Sequence, residues 1–251
     1  MAHDVKGKVV VITGAADGLG LAMTKSFLQK GAKLVISLDV NEKAGKEAEA
    51  SLKSEYGDER VVFYKCNVQT DLEAIYNKII AEYKNVDLLI NNAGVLDELN
   101  IRRTIEINTI ALMEWTVQFY EHMRIDKGGK GGTIINVSSI YGFRVLPYSP
   151  YYHASKFAVV GFSRSLGHED NFKRSGVRVL TLCPGLTHTN MANDPQIKEE
   201  AMVPQLKECL LAHDWQTPED IGRGTVEIFE NADTATVWLV EGARPAEKLK
   251  Y

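Results

Sequence analysis

In the run Tyr152-His153-Ala154-Ser155-Lys156 a phenol and an ammonium stand four positions apart, a spacing that puts both on one face of a helix. A free tyrosine loses its proton near pH ~10, and a cation beside it favours the phenolate. The pair therefore predicts a tyrosine that accepts or donates a proton close to neutral pH. Alone it carries little information. It gains weight from Ser139, thirteen residues earlier (152 − 139), which directly follows the apolar run Gly132–Ser138. The C-terminal edge of a strand is where a doubly wound fold puts its ligands, so Ser139 can share one site with the pair. Tyr151 is also a phenol, but its partner four positions on is Ser155, so it reads as packing or substrate wall.

A second chemical feature lies near the N-terminus. The run Thr13-Gly14-Ala15-Ala16-Asp17-Gly18-Leu19-Gly20 places three spaced glycines where a strand must turn into a helix. Glycine lets the backbone approach a pyrophosphate, and the helix start offers free N–H groups and a positive dipole end. Asp39, nineteen residues after Gly20 (39 − 20), closes the next strand, where a carboxylate accepts hydrogen bonds from ribose hydroxyls and repels a 2′-phosphate. No Arg or Lys follows Asp39 before Lys43, so the expected dinucleotide is NAD and not NADP.

These residues need strands and helices to position them, and the chain supplies both. Nearly continuous apolar runs at Lys8–Thr13, Lys33–Asp39, Val61–Cys66, Val86–Asn91, Gly132–Ser138, Val177–Cys183 and Thr236–Val240 predict seven strands buried on both faces. Amphipathic stretches at Leu19–Lys30, Glu42–Tyr56, Asp71–Tyr83, Asn100–Arg124, Tyr151–Asn171 and Pro218–Glu230 alternate with them. The expected fold is α/β: a doubly wound (Rossmann) parallel seven-stranded sheet with helices on both faces, in a single domain over residues 1–251. The glycine-rich Lys127–Gly132 reads as an exposed turn. Residues 187–214, with Pro195 and Pro204, exceed an ordinary strand-to-helix connection and predict a substrate-binding excursion.

Composition narrows the class. With 45% hydrophobic and 25% charged residues the chain is that of an ordinary globular protein, and a net charge of −4 gives nucleic acid no electrostatic reason to bind. No apolar stretch is long enough for a membrane span, and the N-terminus enters a strand without a secretion signal. Cys66, Cys183 and Cys209 are too isolated for a disulfide framework, which predicts a reducing, cytoplasmic setting. His153, His168 and His188 are not spaced as metal ligands, so no metal is expected.

Across essentially its whole length the chain resembles the short-chain dehydrogenase/reductase family. The resemblance rests on Thr13-Gly14 to Gly20, Asn91-Asn92-Ala93-Gly94, Asn108, Ser139, Tyr152, Lys156 and Pro184-Gly185, all in the family's order. Within the family it is most similar to the NAD-dependent branch of hydroxyprostaglandin and insect alcohol dehydrogenases, through Asp39, Cys66, Pro184-Gly185-Leu186 and Thr187-His188-Thr189. The resemblance implies an NAD-dependent oxidoreductase that moves a hydride between a fairly hydrophobic secondary alcohol, or its ketone, and the nicotinamide. It implies Tyr152 as acid/base, Ser139 as clamp on the substrate oxygen, Lys156 as the pKa-lowering cation and ribose ligand, and Asn108 as holder of a proton-relay water. The cofactor surface would comprise Gly14, Asp17, Gly18, Leu19, Gly20, Asp39, Val40, Asn67, Val68, Asn91, Ala93, Gly94, Tyr152, Lys156, Pro184, Gly185, Leu186, Thr187 and Thr189. Substrate would meet Ser139, Phe143, Ser149 and Tyr152.

Two departures stand out. Asn67 occupies a place where these relatives put an aspartate against the adenine, and Ser149 replaces a glutamine used on prostaglandin, which speaks against prostaglandin itself as substrate. A homodimer or homotetramer joined through the helices at Asn100–Arg124 and Tyr151–Asn171 is expected. The competing readings are an NAD-binding regulatory protein without turnover and a lyase or epimerase that retains its NAD.

Overall fold

Runs of Val, Ile and Leu alternate along the chain with segments that are apolar on one stripe only, and each kind adopts the form its pattern dictates. In a computed structural model that describes residues 3–193 and 198–250, the strands are β1 (Val9–Thr13), β2 (Leu34–Asp39), β3 (Val61–Lys65), β4 (Leu88–Asn91), β5 (Gly132–Val137), β6 (Val177–Pro184), β7 (Val237–Val240) and β8 (Glu247–Lys248). They form one sheet in the order β3-β2-β1-β4-β5-β6-β7-β8. The first seven are parallel, as expected. The eighth strand corrects the expected count of seven: it pairs antiparallel with β7 through Trp238↔Lys248 and Leu239↔Glu247. Two exposed charged residues at a sheet edge carry no apolar run, so no sequence pattern announces them.

The helices are α1 (Gly18–Gln29), α2 (Glu42–Tyr56), α3 (Leu72–Tyr83), α4 (Ile101–Ile105), α5 (Leu112–Met123), α6 (Pro150–Leu166), α7 (Glu169–Ser175), α8 (Asn190–Asn193), α9 (Val203–Leu211) and α10 (Pro218–Asn231). Side chains alternate across the sheet. Val10 and Ile12 of β1 join Met23 and Phe27 of α1 and Phe229 of α10 on one face. Val11, between them, faces Trp115 and Phe119 of α5 on the other. Fully burying side chains of this size contributes roughly 1.5–3 kcal/mol each, which fixes the layers.

Two expected long helices are interrupted. The stretch Asn100–Arg124 holds α4 and α5 joined by a π-helical segment, Glu106–Ala111. The stretch Tyr151–Asn171 is α6 and α7, divided at Gly167, where a Cβ would lie 2.7 Å from the Val179 carbonyl oxygen. Residues 187–214 are not a bare loop but carry α8 and α9, with Pro204 in the first turn of α9. Pro195 lies outside the described residues.

The chain runs outward from β1 to β2 and β3, then crosses back to β4 on the other side of β1. That reversal opens a crevice above the C-terminal ends of β1 and β4, the place where open α/β sheets receive ligands.

Candidate active site

At the end of β1 the chain turns through Gly14 to Gly18 and starts α1, with the Asp17 Oδ1 accepting the Gly18 N–H at 2.7 Å. Gly18 has φ +53°, a conformation that favours glycine. Gly20 supports the turn from behind: a Cβ there would sit 2.1 Å from the Gly14 carbonyl oxygen. The turn is tied to β4 by Asn92, a member of the Asn91–Gly94 run for which the sequence assigns no role of its own. Asn92 Nδ2 donates to the carbonyls of Thr13 and Gly14 at 3.0 and 2.9 Å, while Thr13 Oγ1 accepts the backbone N–H groups of Asn92 and Ala93 at 3.0 and 3.1 Å.

Asp39 ends β2 beside this turn. Its Oδ2 accepts the Ala16 N–H at 3.0 Å and its Oδ1 the Asn41 N–H at 2.9 Å, which leaves further lone pairs on both oxygens. Lys25 lies two turns into α1, seven residues after Gly18 (25 − 18), and brings a cation to the same cavity. Helical periodicity from the glycine turn is the signal that could have found it.

From this turn a cavity of about 570 Å³ extends past the ends of β4, β5 and β6. Its walls include Gly14, Asp17, Gly18, Leu19, Asp39, Ala93 and Gly94 at one end and Ser139, Ser149, Tyr152 and Lys156 farther in. Pro184, Gly185, Leu186, Thr187 and Thr189 line the side under the α8–α9 excursion, together with Met191, Leu206 and Leu210. Asn190 ties that excursion to the glycine turn, its Nδ2 donating to Asp17 Oδ2 at 3.0 Å.

Tyr152 and Lys156 share one face of α6, as their spacing demands, and both are buried. Ser139 caps the short turn after β5, its Oγ accepting the Tyr141 N–H at 3.2 Å, and its side chain stands beside the Tyr152 phenol, where it favours the phenolate. Lys156 Nζ lies 5.6 Å from the centre of the Tyr152 ring and donates to the Val137 carbonyl at 3.0 Å. The expected lowering of the phenol's pKa by Lys156 is not what this arrangement gives. Burial pushes Tyr152 up to about 12, with the Ser139 hydrogen bond working the other way. Burial likewise pulls Lys156 down to about 8. Both groups have left water, and each is driven toward its neutral form.

The start of α6 is held by Glu98, a buried carboxylate from the loop after β4 that sequence pattern did not single out. Its Oε1 accepts the Tyr152 N–H at 2.7 Å and its Oε2 the Tyr151 N–H at 3.1 Å. A carboxylate at a helix start satisfies free donors and opposes the dipole.

Asn108 lies in the π-helical segment, immediately behind Gly94. Its Oδ1 accepts the Val95 N–H at 2.8 Å, and its Nδ2 donates to the Val95 carbonyl at 2.8 Å and to Ser155 Oγ at 3.1 Å. Both amide hydrogens are thus committed to holding the loop after β4 against α6. Asn91 is buried beneath the floor, donating to Thr116 Oγ1 and Asn136 Oδ1 at 2.9 Å each.

Other expected residues also stand apart from the cavity wall. Val40 is 64% exposed on the surface. Asn67 organises the turn after β3, its Oδ1 accepting the Gln69 N–H at 3.1 Å, and the Val68 carbonyl accepts from Trp115 Nε1 at 2.9 Å. Phe143 packs with Ile140, Tyr141 and Cys183 in two small apolar clusters, so Tyr141 and Leu146 form the wall expected of it. Among the described residues there is no group of His, Cys, Asp and Glu able to hold a metal ion, and no helix long and apolar enough to cross a membrane.

The short chain dehydrogenase family pattern matches residues 8–200. The chain is 34% identical over 235 residues to rat (Rattus norvegicus) 15-hydroxyprostaglandin dehydrogenase [NAD(+)], covering 90% of this chain and 88% of the relative. It is 30% identical to alcohol dehydrogenase 1 of Ceratitis cosyra over 238 residues, 94% of this chain and 92% of the relative. Among solved structures, levodione reductase superposes with a TM-score of 0.80 at 23% identity, covering 94% of this chain and 97% of that one.

Proposed function

The chain belongs to the short-chain dehydrogenase family, and on that premise we propose that it is an NAD-dependent dehydrogenase of fairly hydrophobic secondary alcohols, or a reductase of the matching ketones. One observation carries the reading. The hydroxyls of Ser139 and Tyr152 meet, with Lys156 beside them, in a cavity that begins on a glycine turn and Asp39. The site fits a dinucleotide: glycine backbone, the start of α1 and Lys25 for phosphates, Asp39 for ribose hydroxyls. NAD, the cofactor in the name of the rat relative, supplies a hydride acceptor and, in its oxidised form, a positive charge.

The residues of the chain do the rest. Ser139 holds the substrate oxygen, and Tyr152 takes the hydroxyl proton in oxidation and returns it in reduction. Burial brings the Lys156 ammonium within reach of a change of protonation, at about 8, whereas it holds the Tyr152 phenol in its protonated form, at about 12, and the positive charge of oxidised NAD would favour the phenolate there. Asn108 positions the loop after β4 and is the proposed seat of a relay water. Leu96, Tyr141, Leu146, Leu186 and Leu206 give the substrate half an apolar lining, which supports a hydrophobic substrate.

Partly exposed apolar residues on the candidate dimer helices support a homodimer or homotetramer: Ile110 (46%), Val117 (46%) and Phe157 (43%). The three cysteines are free, which supports a reducing, cytoplasmic setting. The experiment that tests the activity is an absorbance screen of secondary alcohols with NAD, run on the native chain and on Tyr152→Phe. Turnover by the native chain alone is the expected result, and turnover by both would refute the assignment.

A further inference from the structure

On the side of the cavity formed by the loop after β5, the polar groups besides Ser139 belong to Ser138, whose hydroxyl is spent on the Lys156 carbonyl at 2.8 Å, and to Ser149 and Tyr141. His153, the residue after Tyr152, decides what Ser149 offers. Its Nε2 lies 2.9 Å from the Leu146 backbone N–H and accepts from it, so that nitrogen carries a lone pair. The ring proton therefore sits on Nδ1, where it donates to the Ser149 carbonyl at 2.6 Å. Ser149 Oγ stands 3.2 Å from the same Nδ1 and, facing an N–H, acts as an acceptor. Among the described residues its own hydrogen has no acceptor, although the residue is buried and lines the cavity.

Tyr141 is a second such group. Its ring lies 5.0 Å from that of His153 and lines the same cavity. Its hydroxyl is buried without a hydrogen-bond partner among the described residues. Buried polar hydrogens without partners are unfavourable, and a ligand oxygen that reaches them removes the penalty. The loop bearing these groups is braced at its far side as well, where Arg144 donates to both Glu241 oxygens at 2.6 and 3.0 Å.

We propose that Ser149, oriented by His153, and Tyr141 form a hydrogen-bonding subsite for a second oxygen of the substrate. The proposal rests on the alcohol–ketone reading of the Tyr152 site and narrows its substrate class to apolar secondary alcohols or ketones that bear a carbonyl or ester oxygen. Ser149 is the N-cap of α6, three residues before Tyr152, and both line the cavity, so the second oxygen stands a few bonds from the reacting carbon. His153 is a positioning residue here.

The test compares two probes of similar size, ethyl 3-hydroxybutyrate and 2-octanol, on the full chain with NAD. Dissociation constants are read from protein fluorescence, and kcat and KM from cofactor absorbance. The native chain is expected to bind the hydroxy ester about tenfold more tightly. Ser149→Ala, Tyr141→Phe and His153→Phe should each shrink that ratio through the hydroxy ester's Kd and KM more than through kcat. His153→Gln, whose amide oxygen can still accept from Leu146, should retain more of the ratio than His153→Phe. Equal binding of the two probes by the native chain, no binding of either, or a ratio untouched by the three variants overturns the subsite. Turnover by Tyr152→Phe would instead overturn the underlying reading, while the binding ratio still reports on the subsite.

Discussion

Glu98 holds Tyr152 by its backbone: one carboxylate oxygen accepts the Tyr152 N–H at 2.7 Å and the other the Tyr151 N–H at 3.1 Å. Glu98 is 2% exposed, so these donors are satisfied by the carboxylate and not by bulk water. Glu98→Ala should lower stability by about 1–3 kcal/mol, the cost of leaving buried donors unpaired. It should reduce kcat more than NAD affinity, because the glycine turn is untouched. Thermal melts and cofactor titrations check both halves, and an unchanged melt would show that water takes the carboxylate's place.

Tyr152→Phe removes one oxygen atom and leaves the ring that packs with Ile140 and Leu186. Turnover should fall by roughly 10²–10⁴-fold or more, the range general acid–base groups contribute. NAD binding, followed by fluorescence, should stay within about twofold of the native value.

Lys156 makes a prediction about stability against pH. Its ordinary value of 10.5 falls to about 8 in the folded chain, so between these values the unfolded chain binds more protons and stability rises with pH. Below about pH 8 the buried charge carries its full penalty, on the order of 3 kcal/mol for a shift of this size. Tyr152 shifts the other way, from 10.0 to about 12, and lowers stability only above pH 10. Lys156→Met should therefore be more stable than the native protein at pH 7 though inactive, and its stability should be flatter from pH 8 to 10. Chemical denaturation at several pH values measures this, and parallel curves for the two proteins would rule it out.

Asp39 contributes a carboxylate beside the glycine turn, with one backbone N–H on each oxygen. Asp39→Asn should weaken NAD and relax the exclusion of NADP, shifting the ratio of kcat/KM by about 10-fold or more toward NADP, as a change of one charge contact allows. Steady-state assays with both cofactors decide it.

Phe157 exposes 43% of its surface on α6 and Val117 exposes 46% on α5. If these faces join protomers, a charge there should oppose association. Sedimentation is expected to show a dimer or tetramer for the native chain and a smaller species for Val117→Glu combined with Phe157→Glu. A native monomer would contradict this.

The residues that carry chemistry were legible in the sequence because their spacing is local. Tyr152 and Lys156 meet through one helical turn, Gly14 to Gly20 through one tight bend, and the seven parallel strands through uninterrupted apolar runs. Each follows from a backbone period that a short segment states by itself. Only the tertiary structure placed Glu98 under α6, Asn92 across to the glycine turn and His153 against Leu146, since these bonds join segments whose separation in sequence obeys no period. It also decided protonation. Spacing says that an ammonium stands near a phenol, but burial sets both pKa values, and burial is a property of everything packed around the pair.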